Sequence, residues 1–219
     1  MLESNNTNKY LKKLVKVDKY GKYAPFPGVT VVASCYPEQK EFCEIMYKIL
    51  INNQLIMEYY SPLPATSYHM TTMSLETEQQ KGGSWNDFIS RNLSVYRKII
   101  QDLQTSLFHP LVEKMEIRIN ETISLLVHLP EAQKTRIKQT AQALNLENTV
   151  PIFHITLAYP HPNKKISAEV ITQLQKEITD KLSIIIAKTT LPMKIAEPKL
   201  CYFNDMTAFH PWSAEQNPF

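Results

Sequence analysis

Glycine is scarce in this chain, with four residues in 219: Gly21, Gly28, Gly82 and Gly83. Phosphate-cradling loops and dinucleotide-binding turns need glycines at fixed offsets so that the backbone can approach a phosphate. Neither pattern occurs, which argues against an ATPase, a kinase of the usual type or a nicotinamide-dependent dehydrogenase. Cysteine is equally sparse. Cys35, Cys43 and Cys201 are odd in number and lack CxxC spacing, so reduced thiols inside a cell are expected, acting as small buried hydrophobes. No HExxH and no close His/Asp cluster is present. His154 and His161 stand seven apart, with Pro160 and Pro162 between them, poor spacing for a shared ion. No metal and no cofactor is expected. The longest apolar run, residues 184–187, is far shorter than the roughly 20 residues that span a bilayer. The first 22 residues are polar and lysine-rich, without the apolar core of a signal peptide. These absences predict a soluble, cytoplasmic protein with no membrane partner, taken as a monomer.

Two tripeptides stand out among the residues that are present, His69-Met70-Thr71 and His154-Ile155-Thr156. Each lies in a strand-like run, and alternation along a strand points His and Thr two apart to the same face. In the second run Phe153, Ile155, Leu157 and Tyr159 would share the opposite, packing face. A polar loop and a helical stretch follow each motif: 76–84 then 85–107, and 160–166 then 167–188. The chain reads as a divergent duplication with one His-x-Thr strand per half. Two histidines meeting across a groove suit acid–base chemistry on a phosphodiester. The mildly basic balance, net charge +3 and pI about 8.6, accommodates an anionic ligand without the strong charge of many duplex-binding proteins.

The remaining pattern predicts a solvated arm over 1–22, a strand over 29–34, a helix over 38–51 and an extended stretch over 54–60. A hairpin is expected over 115–129, a helix from Pro130 to Leu144, and closing strands over 193–196 and 199–204. Strands and helices alternate with enough hairpins to predict α+β rather than a purely parallel sheet. The expected layout is an arm (1–22), one bilobal domain (23–209) with a groove between sheets, and a tail (210–219).

With these residues in view, the chain resembles the 2H phosphoesterase superfamily, which includes 2′,3′-cyclic phosphodiesterases and 2′-5′ RNA ligase-like proteins. Four segments are similar to a subgroup catalogued as a domain of unknown function: Tyr23-Ala-Pro-Phe-Pro-Gly-Val-Thr-Val-Val32, Leu63-Pro-Ala-Thr-Ser-Tyr-His-Met-Thr71, Phe153-His-Ile-Thr-Leu-Ala-Tyr159 and Pro198-Lys-Leu-Cys-Tyr-Phe-Asn-Asp-Met-Thr-Ala-Phe209. The resemblance implies two lobes, each an antiparallel sheet backed by helices, related by pseudo-two-fold symmetry about a central groove. It implies a hydrolase with His69 and His154 on opposite sides of a bound phosphate. One imidazole would serve as general base and the other as general acid, in an order left open, while Thr71 and Thr156 would donate hydrogen bonds to the phosphate oxygens. Hydrolysis of a cyclic phosphate and transesterification of RNA or a nucleotide phosphodiester both fit.

Substrate contacts are assigned to Tyr159, Tyr68, Tyr202 and Lys81, with Tyr20, Tyr23, Trp85 and Phe203 as looser candidates for base stacking and Lys164 and Lys165 for anion steering. Lys81 enters because the resembled relatives carry an arginine-bearing stretch after the first motif. The loop from Ser74 to Gly83 has none here, which leaves Lys81 as a point charge. Two rival readings are a non-catalytic nucleotide- or RNA-binding module of the same fold and a protein–protein interaction module built on the lysine-rich arm and aromatic tail.

Overall fold

The structure is a computed structural model and describes residues 14–106, 108–146, 150 and 152–219. Pro25 and Pro27 lead the chain into a β-branched strand, β1 (Gly28–Ser34), and the amphipathic run that follows forms α1 (Lys40–Ile51). The stretch expected to be extended is instead helical, α2 (Gln54–Tyr59), because the Asn53 side chain accepts from the Ile56 amide and caps it. Next come β2 (Tyr60–Pro62), the first motif strand β3 (His69–Thr77) and a short α3 (Glu78–Lys81), so much of the expected 76–84 loop is ordered as strand and helix.

The single helix expected to follow is two, α4 (Trp85–Arg91) and α5 (Leu93–Ser106). The Asn92 side-chain amide donates to the Phe88 carbonyl at the break and competes with helical continuation. Leu107, where that helix was expected to end, lies outside the described residues. The chain continues through β4 (Leu111–Val112), the hairpin of β5 (Lys114–Ile119) and β6 (Ile123–His128), and α6 (Glu131–Ala143), entered at Pro130. The second motif strand β7 (His154–Pro160) leads to α7 (Ala168–Lys188), capped by Ser167, and then to β8 (Met193–Lys194), β9 (Lys199–Phe203) and β10 (His210–Pro211).

The fold is α+β, with two antiparallel sheets of eight and two strands. The large sheet runs β10-β9-β1-β3-β7-β6-β5, with β2 also paired to β7, and the small one joins β4 to β8. The two motif strands are therefore neighbours. They pair at one position, Met70 with Ile155, and both of those side chains are buried in the larger core. That core holds α1 and α7 against the β5–β7 half, with Leu174, Ile178 and Leu182 of α7 fully buried. A second core packs α4 and α5 on the other half, where Val29, Val31, Met73 and Leu200 meet Trp85, Ile89 and Tyr96. The tail is part of it: Trp212 is buried there, Phe219 packs on Trp85, and the Asn217 amide donates to the Asn86 carbonyl. No helix among the described residues is long and apolar enough to cross a membrane.

Residues 1–13 of the expected arm lie outside the described residues. Residues 14–24 are a small hairpin, closed by a bridge between Val17 and Tyr23, with Val17 buried. Asp18 accepts from the Tyr20 and Lys22 amides at its turn, and Gly21 takes the positive φ the turn requires.

Gly28 pairs with Phe203 across β1 and β9, and a Cβ there would collide with the Phe203 ring. That ring is buried between Phe26 and Phe209, so displacing it disturbs an aromatic stack. Gly28→Ala is expected to lower stability by about 1–3 kcal/mol, measured by denaturant unfolding. An unchanged midpoint would mean the aromatic wall yields.

Candidate active site

The motif side chains are placed by the Met70–Ile155 pair. Carrying that antiparallel register one residue outward sets His69 across from Thr156 and Thr71 across from His154. Because Met70 and Ile155 point into the core, all four polar side chains stand on the opposite face, where they line one groove of about 480 Å³.

Each motif is followed by the same irregularity. Val31 and Val32 of β1 face Met73 and Thr71, which leaves Thr72 as an extra residue in β3. Ile123 and Ser124 of β6 face Ala158 and Thr156, which leaves Leu157 extra in β7. A bulge reverses the alternation beyond it. Thr72 and Met73 are therefore buried together, as are Leu157 and Ala158, and the next side chains, Ser74 and Tyr159, turn into the groove. Simple alternation assigned Tyr159 to the packing face; the bulge re-aims it.

The two imidazoles are held alike. His69 Nδ1 lies 2.7 Å from the Ser67 carbonyl oxygen and His154 Nδ1 lies 3.2 Å from that of Ile152. A carbonyl oxygen only accepts, so each Nδ1 carries the proton and donates it, which leaves each Nε2 available for chemistry. Their surroundings differ. His154 is exposed, whereas His69 is half-buried, with the Phe209 ring 4.0 Å from its own between centroids. Burial, assisted by the nearby His154 and Lys16 and opposed by the Ser67 hydrogen bond, pulls His69 from the usual 6.5 down to about 4. His69 is thus neutral at neutral pH.

The rest of the groove is apolar on one side and cationic on another. The loop after β9 brings Met206 and Phe209 to the wall, its turn fixed by Asp205, which accepts from both the amide and the hydroxyl of Thr207. Phe203 and Phe26 continue that wall. Lys16, from the N-terminal hairpin, reaches the groove with its Nζ 3.2 Å from Tyr159 Oη. No Asp or Glu lines this groove among the described residues, and no group of three His, Cys, Asp or Glu side chains among them is placed to hold a metal ion.

Of the residues expected to contact substrate, Tyr159 and the looser candidate Phe203 line the groove. Tyr68 does not. It points away from His69 into the larger core, fully buried, and its hydroxyl has no partner among the described residues. Tyr202 lies on the helix-facing side of β9 against Phe219 and His210, because its neighbour Phe203 takes the groove side. Lys81 pairs with Glu76 at 2.9 Å and sits over the Phe88 ring, neutralised and away from the groove. Trp85 belongs to the second core, Tyr20 is exposed, and the Tyr23 hydroxyl donates to the Ser61 carbonyl. Lys164 pairs with Glu58, and Lys165 is exposed. Sequence reasoning missed Lys16, Met206, Phe209 and Ser74. The segment ending at Phe209 carried part of the family resemblance; nothing local marked Lys16.

The family profile described as "Domain of unknown function (DUF1868)", short name 2H-phosphodiest, matches residues 16–136. It covers more than half of the chain, takes in the first His-x-Thr pair and ends before the second. The chain belongs to this family. It is 37% identical over 62 residues to the uncharacterized protein 127L of Invertebrate iridescent virus 6, a match that spans 27% of this chain and 26% of that protein. In fold it is similar to the crystal structure of ATU0111, a conserved protein of unknown function from Agrobacterium tumefaciens. The TM-score is 0.65 at 17% identity, over 90% of this chain and 89% of that one.

Two outcomes follow from these placements. Because His69 takes up a proton more readily in the unfolded chain than in the fold, its contribution to stability is complete above about pH 6.5 and disappears as pH falls through about 4. His69→Gln is therefore expected to flatten the loss of melting temperature between those values, and a slope matching wild type would refute this placement. Tyr68→Phe removes a buried hydroxyl that has no partner among the described residues, so its melting temperature is expected to stay level or rise. A marked fall would mean that the hydroxyl is satisfied.

Proposed function

We propose that this protein is a phosphodiesterase that opens a cyclic phosphate, or cleaves an RNA or nucleotide phosphodiester, by two-histidine general acid–base catalysis without a metal. The observation that carries this reading is the crossed arrangement of two His-Thr pairs on one groove face, with both Nδ1 protons tied to backbone carbonyls. Membership of the family supports it.

His69, neutral at neutral pH, takes the role of base. Its Nε2 removes the proton from a water, or from a neighbouring ribose hydroxyl in the transesterifying direction. His154, open to solvent, donates a proton to the departing ribose oxygen. The Thr71 and Thr156 hydroxyls donate to the non-bridging oxygens as negative charge grows there, and their strand positions hold them at fixed directions. The wall of Phe209, Met206 and Tyr159 offers a surface for a base or ribose.

The test is turnover of a 2′,3′-cyclic nucleotide panel, RNA ends and 2′-5′ oligonucleotides in excess chelator. We expect His69→Ala and His154→Ala each to lower kcat/KM by about 10²–10⁴-fold while remaining folded. The acid limb of the wild-type profile should fall near pH 4. Near-wild-type rates in both variants would sink the mechanism. Tight nucleotide binding without turnover across the panel would favour the non-catalytic module.

A further inference from the structure

A fixed cation would offset the phosphate charge in the proposed reaction, and the two histidines do not provide one: His69 is neutral and His154 must give its proton away. Lys81 and Lys164 are each spent on a carboxylate outside the groove. Lys16 differs from both. It reaches the groove that holds the motif residues, and among the described residues no carboxylate lies within ion-pair distance of it.

Its position is built from both sides. The Gln79 side chain brackets Val15 like a strand partner, accepting from the Val15 amide at 2.9 Å and donating to the Val15 carbonyl at 3.1 Å. Ala24 donates to the Lys16 carbonyl at 3.0 Å, and Val17 is buried. The hairpin is docked at its turn as well, since the Ser61 hydroxyl donates to the Gly21 carbonyl at 2.6 Å. The ammonium rests 4.5 Å from the centroid of the Tyr159 ring and 5.5 Å from that of Phe26, two aromatic faces that hold it without neutralising it. A half-buried lysine in the same groove as two threonine hydroxyls and two imidazoles, with no acidic side chain lining that groove among the described residues, is arranged for an anion.

We infer that Lys16, carried in by the N-terminal hairpin, is the substrate-binding residue that neutralises the phosphate of this site. The assignment deepens the phosphodiesterase reading and rests on it. Lys16 binds the non-bridging oxygens alongside Thr71 and Thr156, and it supplies the charge that Lys81 was expected to carry. The hairpin is accordingly part of the active site.

The experiment measures binding of inorganic phosphate to the full chain by calorimetry, which needs no knowledge of the physiological substrate. Wild type is compared with Lys16→Ala, Lys16→Gln, Lys16→Arg and the control Lys22→Ala, an exposed lysine of the same hairpin that does not line the groove. Circular dichroism establishes that each is folded, and Lys16→Gln decides the matter if Lys16→Ala is not. We expect Lys16→Ala and Lys16→Gln to weaken phosphate binding by about ten- to a hundredfold, Lys16→Arg to restore most of it and Lys22→Ala to match wild type. Wild-type affinity in Lys16→Ala or Lys16→Gln would overturn this assignment and leave the two-histidine reading standing. Equal losses in Lys16→Ala and Lys22→Ala would overturn it in favour of general charge. A wild type that binds no phosphate would overturn the reading of the whole site, this assignment included.

Discussion

The antiparallel pairing of Met70 with Ile155 is the constraint on which everything else depends. It joins the two halves of the large sheet at one position and sets the phase of both motif strands. A slip of one residue there would turn one of the two strands over, sending its histidine and threonine into the core and its apolar neighbour, Met70 or Ile155, to the surface. The register is secured by burial, since these two side chains lie deep in the larger core beside Leu125 and Leu157. Packing on one face thereby fixes chemistry on the other.

Two symmetric bulges extend this control. By inserting Thr72 and Leu157 immediately after the motifs, the chain buries two residues in a row on each strand and then re-aims the next one into the groove. The Thr72 hydroxyl donates to the Val31 carbonyl, so the polar atom at the first bulge is satisfied within the sheet. The repeat seen as two tripeptides is therefore longer in three dimensions, running from a backbone-bound histidine through a threonine and a bulge to a sixth residue, Ser74 or Tyr159.

The α+β class, most elements and the shared face of each His-Thr pair were legible, because they rest on short-range alternation and helical spacing. The bulges were not. They are defined by which residues of β1 and β6 lie opposite, and a single strand holds no record of its partner. Tyr159 was therefore assigned to the wrong face even though it was named as a substrate contact. Tyr68 and Tyr202 were chosen for closeness in sequence to a motif or family segment, and alternation carries both away from the groove. Lys81 was chosen for its loop, where Glu76 neutralises it. Nothing local marks Lys16, because its position depends on Gln79 and Ser61, both distant in sequence. The helix at residues 54–59 was missed because Asn53 was not recognised as a cap.

The two histidines occupy equivalent places in a doubled scaffold, yet they do not share equivalent surroundings. Phe209 comes from the loop after β9 and Lys16 from the hairpin before β1, and neither segment has a counterpart in the repeated strand-and-helix unit. Both act on His69, one covering its ring and the other placing a cation nearby. A perfectly doubled site would have no preferred direction for proton flow, because either imidazole could begin the cycle. The unrepeated segments break that equality and leave His69 the more enclosed of the two imidazoles.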